Sequence, residues 1–311
     1  MQLIPYAVAM AGIATLPLAF PWLSFLFVLA IAMGFAALGV ALLLRAGLIS
    51  IGHAMFYGLG AYATAFLTRW GVTDLMLLLV GTAAISALAG TLVGAFVVRY
   101  RAIFFAMLNL AVSMVFFTLV SKLYALTGGS DGMRVGAPTL FGRAYSRAVI
   151  EAVLLYGSLA LLVVVGFLVH RYLQSSMGQA LSAVHTNEIR LAYLGVSVRA
   201  VLLAAYAASA ALAGIGGFLA AVAIGHVVPE MAYWTASGQL VLVAVLGGAG
   251  TVAGPFIGAF FLEAVRSLAA GYLAESWNLV IGVALLVVIF FLPGGLHGLM
   301  HAGFVPRGRA A

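Results

Sequence analysis

His53 and Tyr57 stand four residues apart in LISIGHAMFYGLGAY, a run otherwise made of glycine and apolar residues. A helix here puts both on one face, one turn apart. An imidazole and a phenol so placed offer ring faces and hydrogen-bonding edges, which suits the lining of a path for an amphipathic solute. In a packed core the same pair reads as a histidine bonded to a neighbouring carbonyl. Asn109 and Ser113 repeat the spacing and raise the same alternatives. Glu263 and Arg266, at i and i+3, can pair within one helix and lower each other's cost of insertion. That pair reads as structural rather than as a proton relay.

Other patterns have the look of enzymes. GGSDG, 128–132, fits the string G-x-S-x-G, but a nucleophile elbow needs a strand before it, a helix after it and a histidine base. Here the string lies in a glycine- and proline-punctuated loop. HGLMH places His297 and His301 at i and i+4, with no third metal ligand in view. The acidic residues are scattered singly, so no carboxylate dyad is apparent. No G-x-x-x-x-G-K-[S/T] loop occurs, and the only lysine is Lys122, so this chain should not hydrolyse ATP. Without cysteine there is no disulfide framework and no thiolate site. We therefore expect no catalytic residue, no metal and no cofactor in the chain itself.

The elements that must position these residues are membrane helices. Of 311 residues, 66% are hydrophobic and 7% charged, against about 25% charged in a soluble domain. The apolar runs are continuous rather than alternating, which excludes a barrel. The arginines are spread singly, so the net charge of +7 points to the inner membrane face rather than to nucleic acid. The first residues lack the basic region and cleavage site of a signal peptide and read as a first span. At about 20 apolar residues per crossing, ten candidate spans follow: 4–20, 23–44, 51–67, 75–98, 102–121, 148–169, 200–224, 232–248, 254–272 and 277–292. The third, eighth and tenth are short enough to be tilted, re-entrant or broken. The expected fold is all-α, a single polytopic transmembrane domain over 1–311.

Orientation follows from the basic residues. With both termini in the cytoplasm, Arg45, Arg99, Arg101, Arg171, Arg190, Arg199, Arg307 and Arg309 lie inside, opposed only by Glu188. Arg69, Lys122, Arg134, Arg143 and Arg147 lie outside with five acids. The inverted topology reverses this asymmetry. Two polar stretches then stand out, a periplasmic loop at about 122–147 and a cytoplasmic one at about 171–199.

The cytoplasmic stretch contains AVHTNEIRLAYLGVSV. Thr186 can cap a helix over 187–194, with Glu188 in its first turn, where the dipole favours an acid. Gly195 suits the left-handed position after its end. Two turns do not persist alone in water. Spacing leaves open a helix resting on its own protein or the headgroups and a helix that docks on a cytoplasmic partner. Among the glycines, Gly90 and Gly94 form one small-xxx-small face and Gly250, Gly254 and Gly258 another, both read as helix-packing faces.

Several stretches resemble, in fixed order, permeases of branched-chain (hydrophobic) amino-acid ABC importers. They are LISIGHAMFYGLGAY, RAIFFAMLNLA with LTGGSDGM, MGQALSAVHTNEIRLAYLGVSV, SAALAGIGGFL, VVPEMAYW, VLGGAGTVAGPFIGAF and FFLPGGLHGL. The likeness covers nearly the whole chain from about Leu38 and is greatest to the larger, LivM-type subunit. Departures are Arg45 at a commonly uncharged position, Asn109 for a commoner threonine, His185, and Ala192-Tyr193. The resemblance implies that the short helix couples to an ATPase. Thr186, Asn187 and Glu188 would give its polar end, Ile189, Leu191 and Leu194 its apolar face, and Gly195 its stop. It also implies a sister permease, two cytoplasmic ATPases that bind ATP and Mg, a periplasmic solute-binding protein, the bacterial inner membrane and import by alternating access. The alternative, a self-sufficient secondary transporter, would need intramembrane acids, of which Glu263 is the only deep candidate.

Overall fold

The structure, a computed structural model, describes residues 22–272 and a few isolated positions on either side. The first and tenth candidate spans, 4–20 and 277–292, lie outside the described residues, as do the His297–His301 pair and the C-terminal arginines. Ten helices lie between: α1 (Trp22–Leu44), α2 (Ala54–Arg69), α3 (Leu75–Val97), α4 (Ala102–Lys122), the single turn α5 (Tyr124–Thr127), α6 (Arg147–Gln174), α7 (Ser176–Tyr193), α8 (Val198–Ile224), α9 (Trp234–Gly247) and α10 (Gly254–Tyr272). Five of them, α1, α3, α4, α6 and α8, are long and apolar enough to cross a membrane.

Of the other described candidate spans, the ninth is helix α10 over its full expected length, while the third and eighth are shortened at their starts. The third begins only at Ala54, because Ile51–His53 form a turn. The eighth, expected from 232, becomes helical only at Trp234, behind a 3₁₀ turn over Pro229–Ala232, and α9 has 14 residues. That is about 21 Å of helix, short of a crossing of about 30 Å. The polar stretch 122–147 is not a plain loop. It holds α5, a 3₁₀ turn over Gly129–Asp131 and a strand, β1 (Met133–Arg134), paired antiparallel with β2 (His226–Val227). This strand pair corrects a purely helical expectation; two residues a side carry no periodicity for a sequence reading to detect.

Helix α8 is the centre. It packs against α1, α2 and α3, while α10 packs on α1 and α9. Lipid is as apolar as leucine, so close packing rather than exclusion from water holds such helices together. Three α8 glycines permit it. Gly214 faces Ser86 of α3, Gly216 the Ala32 carbonyl of α1, and Gly217 the Tyr57 carbonyl of α2. The expected glycine faces mostly hold. Gly90 meets Ala210 and Gly94 meets Tyr206, both on α8, while Gly254 and Gly258 lie on the backbone of 243–248. Gly250 is a correction: it sits in the turn before α10, and a Cβ there would touch nothing. Its carbonyl instead accepts from the Arg45 guanidinium. Small-xxx-small spacing counts as a face only while the chain stays helical.

Candidate functional site

Two places bring the predicted residues together. The first is a polar wall inside the bundle. His53 is fully buried, and its Nε2 lies 3.2 Å from the Ser209 carbonyl of α8. The next residue starts α2, and the otherwise orphaned Ala54 N–H donates to Ser237 Oγ of α9 at 2.9 Å. Asn109 of α4 is also buried. Its Oδ1 accepts from Tyr206 Oη, and its Nδ2 donates to the Phe105 carbonyl at 2.9 Å. Ser113 Oγ donates to the Ala232 carbonyl at 3.2 Å. Gly52 joins the two pairs, since a Cβ there would stand 2.1 Å from the Asn109 carbonyl oxygen.

His53, Asn109 and Ser113 thus hold helices together with their polar atoms turned into the protein. Tyr57 differs: it is half-buried and within electrostatic reach of Glu263 and Arg266. Those two form an ion pair at 3.1 Å, as i,i+3 spacing implies, and Arg266 also donates to Gln239 Oε1 at 3.3 Å. The shared bond partners Tyr206, Ser209 and Ser237 were missed by the sequence reading. A tyrosine and two serines in long apolar spans were the available signal.

The second place is the polar stretch at about 171–199. Helix α7 starts at Ser176, well before the expected helix, with Ser175 Oγ accepting from Gly178 N at 3.4 Å. It breaks at Asn187 (φ −161°, ψ 97°). The cap of the second segment is therefore Asn187, whose Oδ1 accepts from Arg190 N at 2.9 Å. Thr186, the expected cap, ends the first segment. The displacement is one residue, and either side chain has the cap chemistry. The far end is as expected. Gly195 takes φ +79°, its N–H reaches the Ala192 carbonyl, and Val196 N–H reaches that of Leu191, a Schellman closure.

The apolar face is divided. Leu191 is 7% exposed and packs into the core, which corrects its expected role as a docking residue. Ile189, Tyr193 and Leu194 are 70%, 87% and 74% exposed. Glu188 is also corrected. It does not project freely but forms a two-pronged ion pair with Arg101, Nε to Oε2 at 3.0 Å and Nη2 to Oε1. On the other side of the break, His185 lies over Gly47, in the turn between α1 and α2. An open hollow of about 720 Å³ borders this segment, lined by Ile189, Ala192, Tyr193 and Val196 among others.

On the other polar stretch, Ser130 and Asp131 sit in a 3₁₀ turn that follows a helix and precedes a strand, the reverse of an elbow's order. His226 Nε2 meets the Asp131 carbonyl at 2.8 Å rather than the hydroxyl of Ser130, which donates to Asp131 Oδ1 at 3.5 Å.

A helical bundle with several helices long and apolar enough to cross a membrane, a buried polar wall and a separate capped segment is that of a multi-pass membrane protein. Comparison with known proteins agrees. The family described as branched-chain amino acid transport system, permease component, matches residues 22–290, and the chain belongs to it. It is 30% identical over 271 residues to the high-affinity branched-chain amino acid transport system permease protein LivM of Escherichia coli K12, covering 80% of this chain and 64% of that protein. The LivM protein of Salmonella typhimurium gives the same identity and coverage. The LivH permease of Escherichia coli K12 is 27% identical over 283 residues, covering 81% and 86%. The chain thus spans somewhat less than two thirds of the length of its LivM relatives. No solved structure matches it.

Proposed function

We propose that this chain is a membrane-spanning permease subunit of an ATP-driven importer for branched-chain or other hydrophobic amino acids or related small solutes. It pairs with a sister permease in the bacterial inner membrane, receives solute from a periplasmic binding protein and is driven by two cytoplasmic ATPases, which bind ATP and Mg. The family and the names of its relatives support the class and the solute. The observation that carries the coupling is the capped segment after Asn187. It presents Ile189, Tyr193 and Leu194 outward, on a helix too short to stand without support. Inward motion of this segment would tilt the spans attached to it and open the path alternately to each side. Of the four path residues, Tyr57 is the one we keep at the path surface; His53, Asn109 and Ser113 form the wall behind it.

Purification from native membranes in mild detergent tests this reading. ATP-hydrolysing subunits should remain bound, and Tyr193→Asp should release them while the sister permease stays. Tyr193 is almost fully exposed, so the substitution costs the fold little. A wild-type chain that transports with no ATPase bound would instead be a secondary transporter.

A further inference from the structure

The Arg101–Glu188 pair joins two elements 87 residues apart. Its geometry fixes direction as well as distance, because one guanidinium edge, Nε and Nη2, meets both carboxylate oxygens. The arginine is itself anchored. Its Nη1 also donates to the Val98 and Tyr100 carbonyls, so the guanidinium belongs to the turn between α3 and α4. The glutamate opens the second segment of α7, directly after the break at Asn187. Any rotation about that break carries its carboxylate, and therefore Arg101, with it.

What Arg101 leads is suited to move. It is the residue before α4, and Ala102, the first residue of that helix, takes φ +50°, a conformation that alanine rarely adopts. Along the whole of α4 the buried residues are only Phe105, Asn109, Ser113 and Val120. About half of its remaining side chains face outward and Leu108, Val112 and Phe116 are only partly buried against the core, so α4 leans on the bundle along one stripe. That stripe is the polar wall, with Asn109 bonded to Tyr206, Ser113 bonded to Ala232, and Gly52 against Asn109.

We propose that the Arg101–Glu188 ion pair is the joint through which displacement of the cytoplasmic segment reaches α4 and the buried polar wall. Both residues are positioning residues: neither meets the solute, and Glu188 does not serve as a contact for the ATPase. The proposal rests on the coupling reading above. It adds that docking and transmission lie on different sides of one short segment. Ile189, Tyr193 and Leu194 receive the push, and Glu188 passes it on. The two side chains are about a third exposed, at 33% and 38%, so the pair is partly shielded from salt.

The complete importer in proteoliposomes, with binding protein and leucine, tests this. Bound ATPase, ATP hydrolysis stimulated by the loaded binding protein, and uptake per ATP are measured for Glu188→Gln, Arg101→Gln, Glu188→Arg, Arg101→Glu and the double exchange Arg101→Glu/Glu188→Arg. The single variants should keep their ATPases and their hydrolysis, but lose uptake per ATP by about two- to hundredfold, the range of coupling between contacting charges. The double exchange should recover most of that loss, whereas a merely destabilised fold would lose bound ATPase and hydrolysis together with uptake in the single variants. Normal uptake per ATP in Glu188→Gln, or a double exchange no better than its parts, overturns the proposal. Single variants that shed the ATPase while the Tyr193 face is intact place Glu188 at the docking surface and also overturn it, leaving the coupling reading in force. A wild-type chain that holds no ATPase removes both.

Discussion

Gly217→Ala should destabilise the bundle although alanine is the better helix former. A Cβ on Gly217 would stand 2.0 Å from the Tyr57 carbonyl oxygen and 2.8 Å from the Ala61 nitrogen. Both are backbone atoms of α2, so no rotamer change relieves the overlap. Carbon and oxygen come no closer than about 3.3 Å even in the closest favourable contacts, so α2 and α8 must separate by roughly 1.3 Å. The separation weakens contacts along the whole interface, since dispersion falls off steeply over such a gap. It also disturbs the reciprocal approach of Gly60 to the Gly214 backbone. Overpacking of this kind costs about 1–3 kcal/mol, offset by about 1 kcal/mol from helix propensity. The net effect is a loss of up to about 2 kcal/mol. Gly238→Ala on α9 is the control, because a Cβ there meets nothing within 4 Å. Only the propensity gain remains, so its sign is opposite. Thermal unfolding in detergent, followed by fluorescence of the four tryptophans, should place Gly217→Ala below wild type and Gly238→Ala at or above it. Uptake should also fall in Gly217→Ala, since the residue displaced is Tyr57. A Gly217→Ala protein as stable as Gly238→Ala would refute the close-packing argument.

Orientation is open to direct labelling in this cysteine-free chain. Cysteines placed at Ser130 and Ser182, both exposed, should react with an impermeant thiol reagent outside intact cells only at position 130; labelling at 182 would reverse the topology. A pH effect is expected at the N-terminal end of α3. Partial desolvation pushes the Asp74 carboxyl up, but backbone N–H groups of Met76, Leu77, Gly142 and Phe141 together hold it below its usual value. A depressed carboxylate contributes stability that is complete above its unfolded pKa and is lost as pH falls through the lower folded value. Hydrogen exchange at Met76, Leu77 and Gly142, corrected for intrinsic rates, should therefore accelerate as pH falls below about 4, and Asp74→Ala should abolish that step. Equal acceleration in both proteins would show that Asp74 does not hold the turn.

The sequence by itself determined what rests on composition and on neighbours within a turn or two. A chain this apolar must place helices in a membrane, and most described helices begin and end within a few residues of the expected runs. The Glu263–Arg266 pair and the left-handed Gly195 were legible because each depends on a spacing of three or four residues, or on one residue's freedom at φ +79°. The tertiary structure decided everything that depends on what a side chain meets from far along the chain. His53 turns to Ser209, 156 residues away, and the start of α2 is satisfied by Ser237, 183 residues away. Arg101 claims Glu188, which the sequence offered to a partner, and Leu191 turns into the core while Ile189 and Tyr193, two residues to either side, stay out. A short helix can present any of its faces to the bundle, and its periodicity does not say which. That choice is made by the helices packed beside it, where burial and a two-pronged ion pair outweigh the small local preferences that fixed the helix itself.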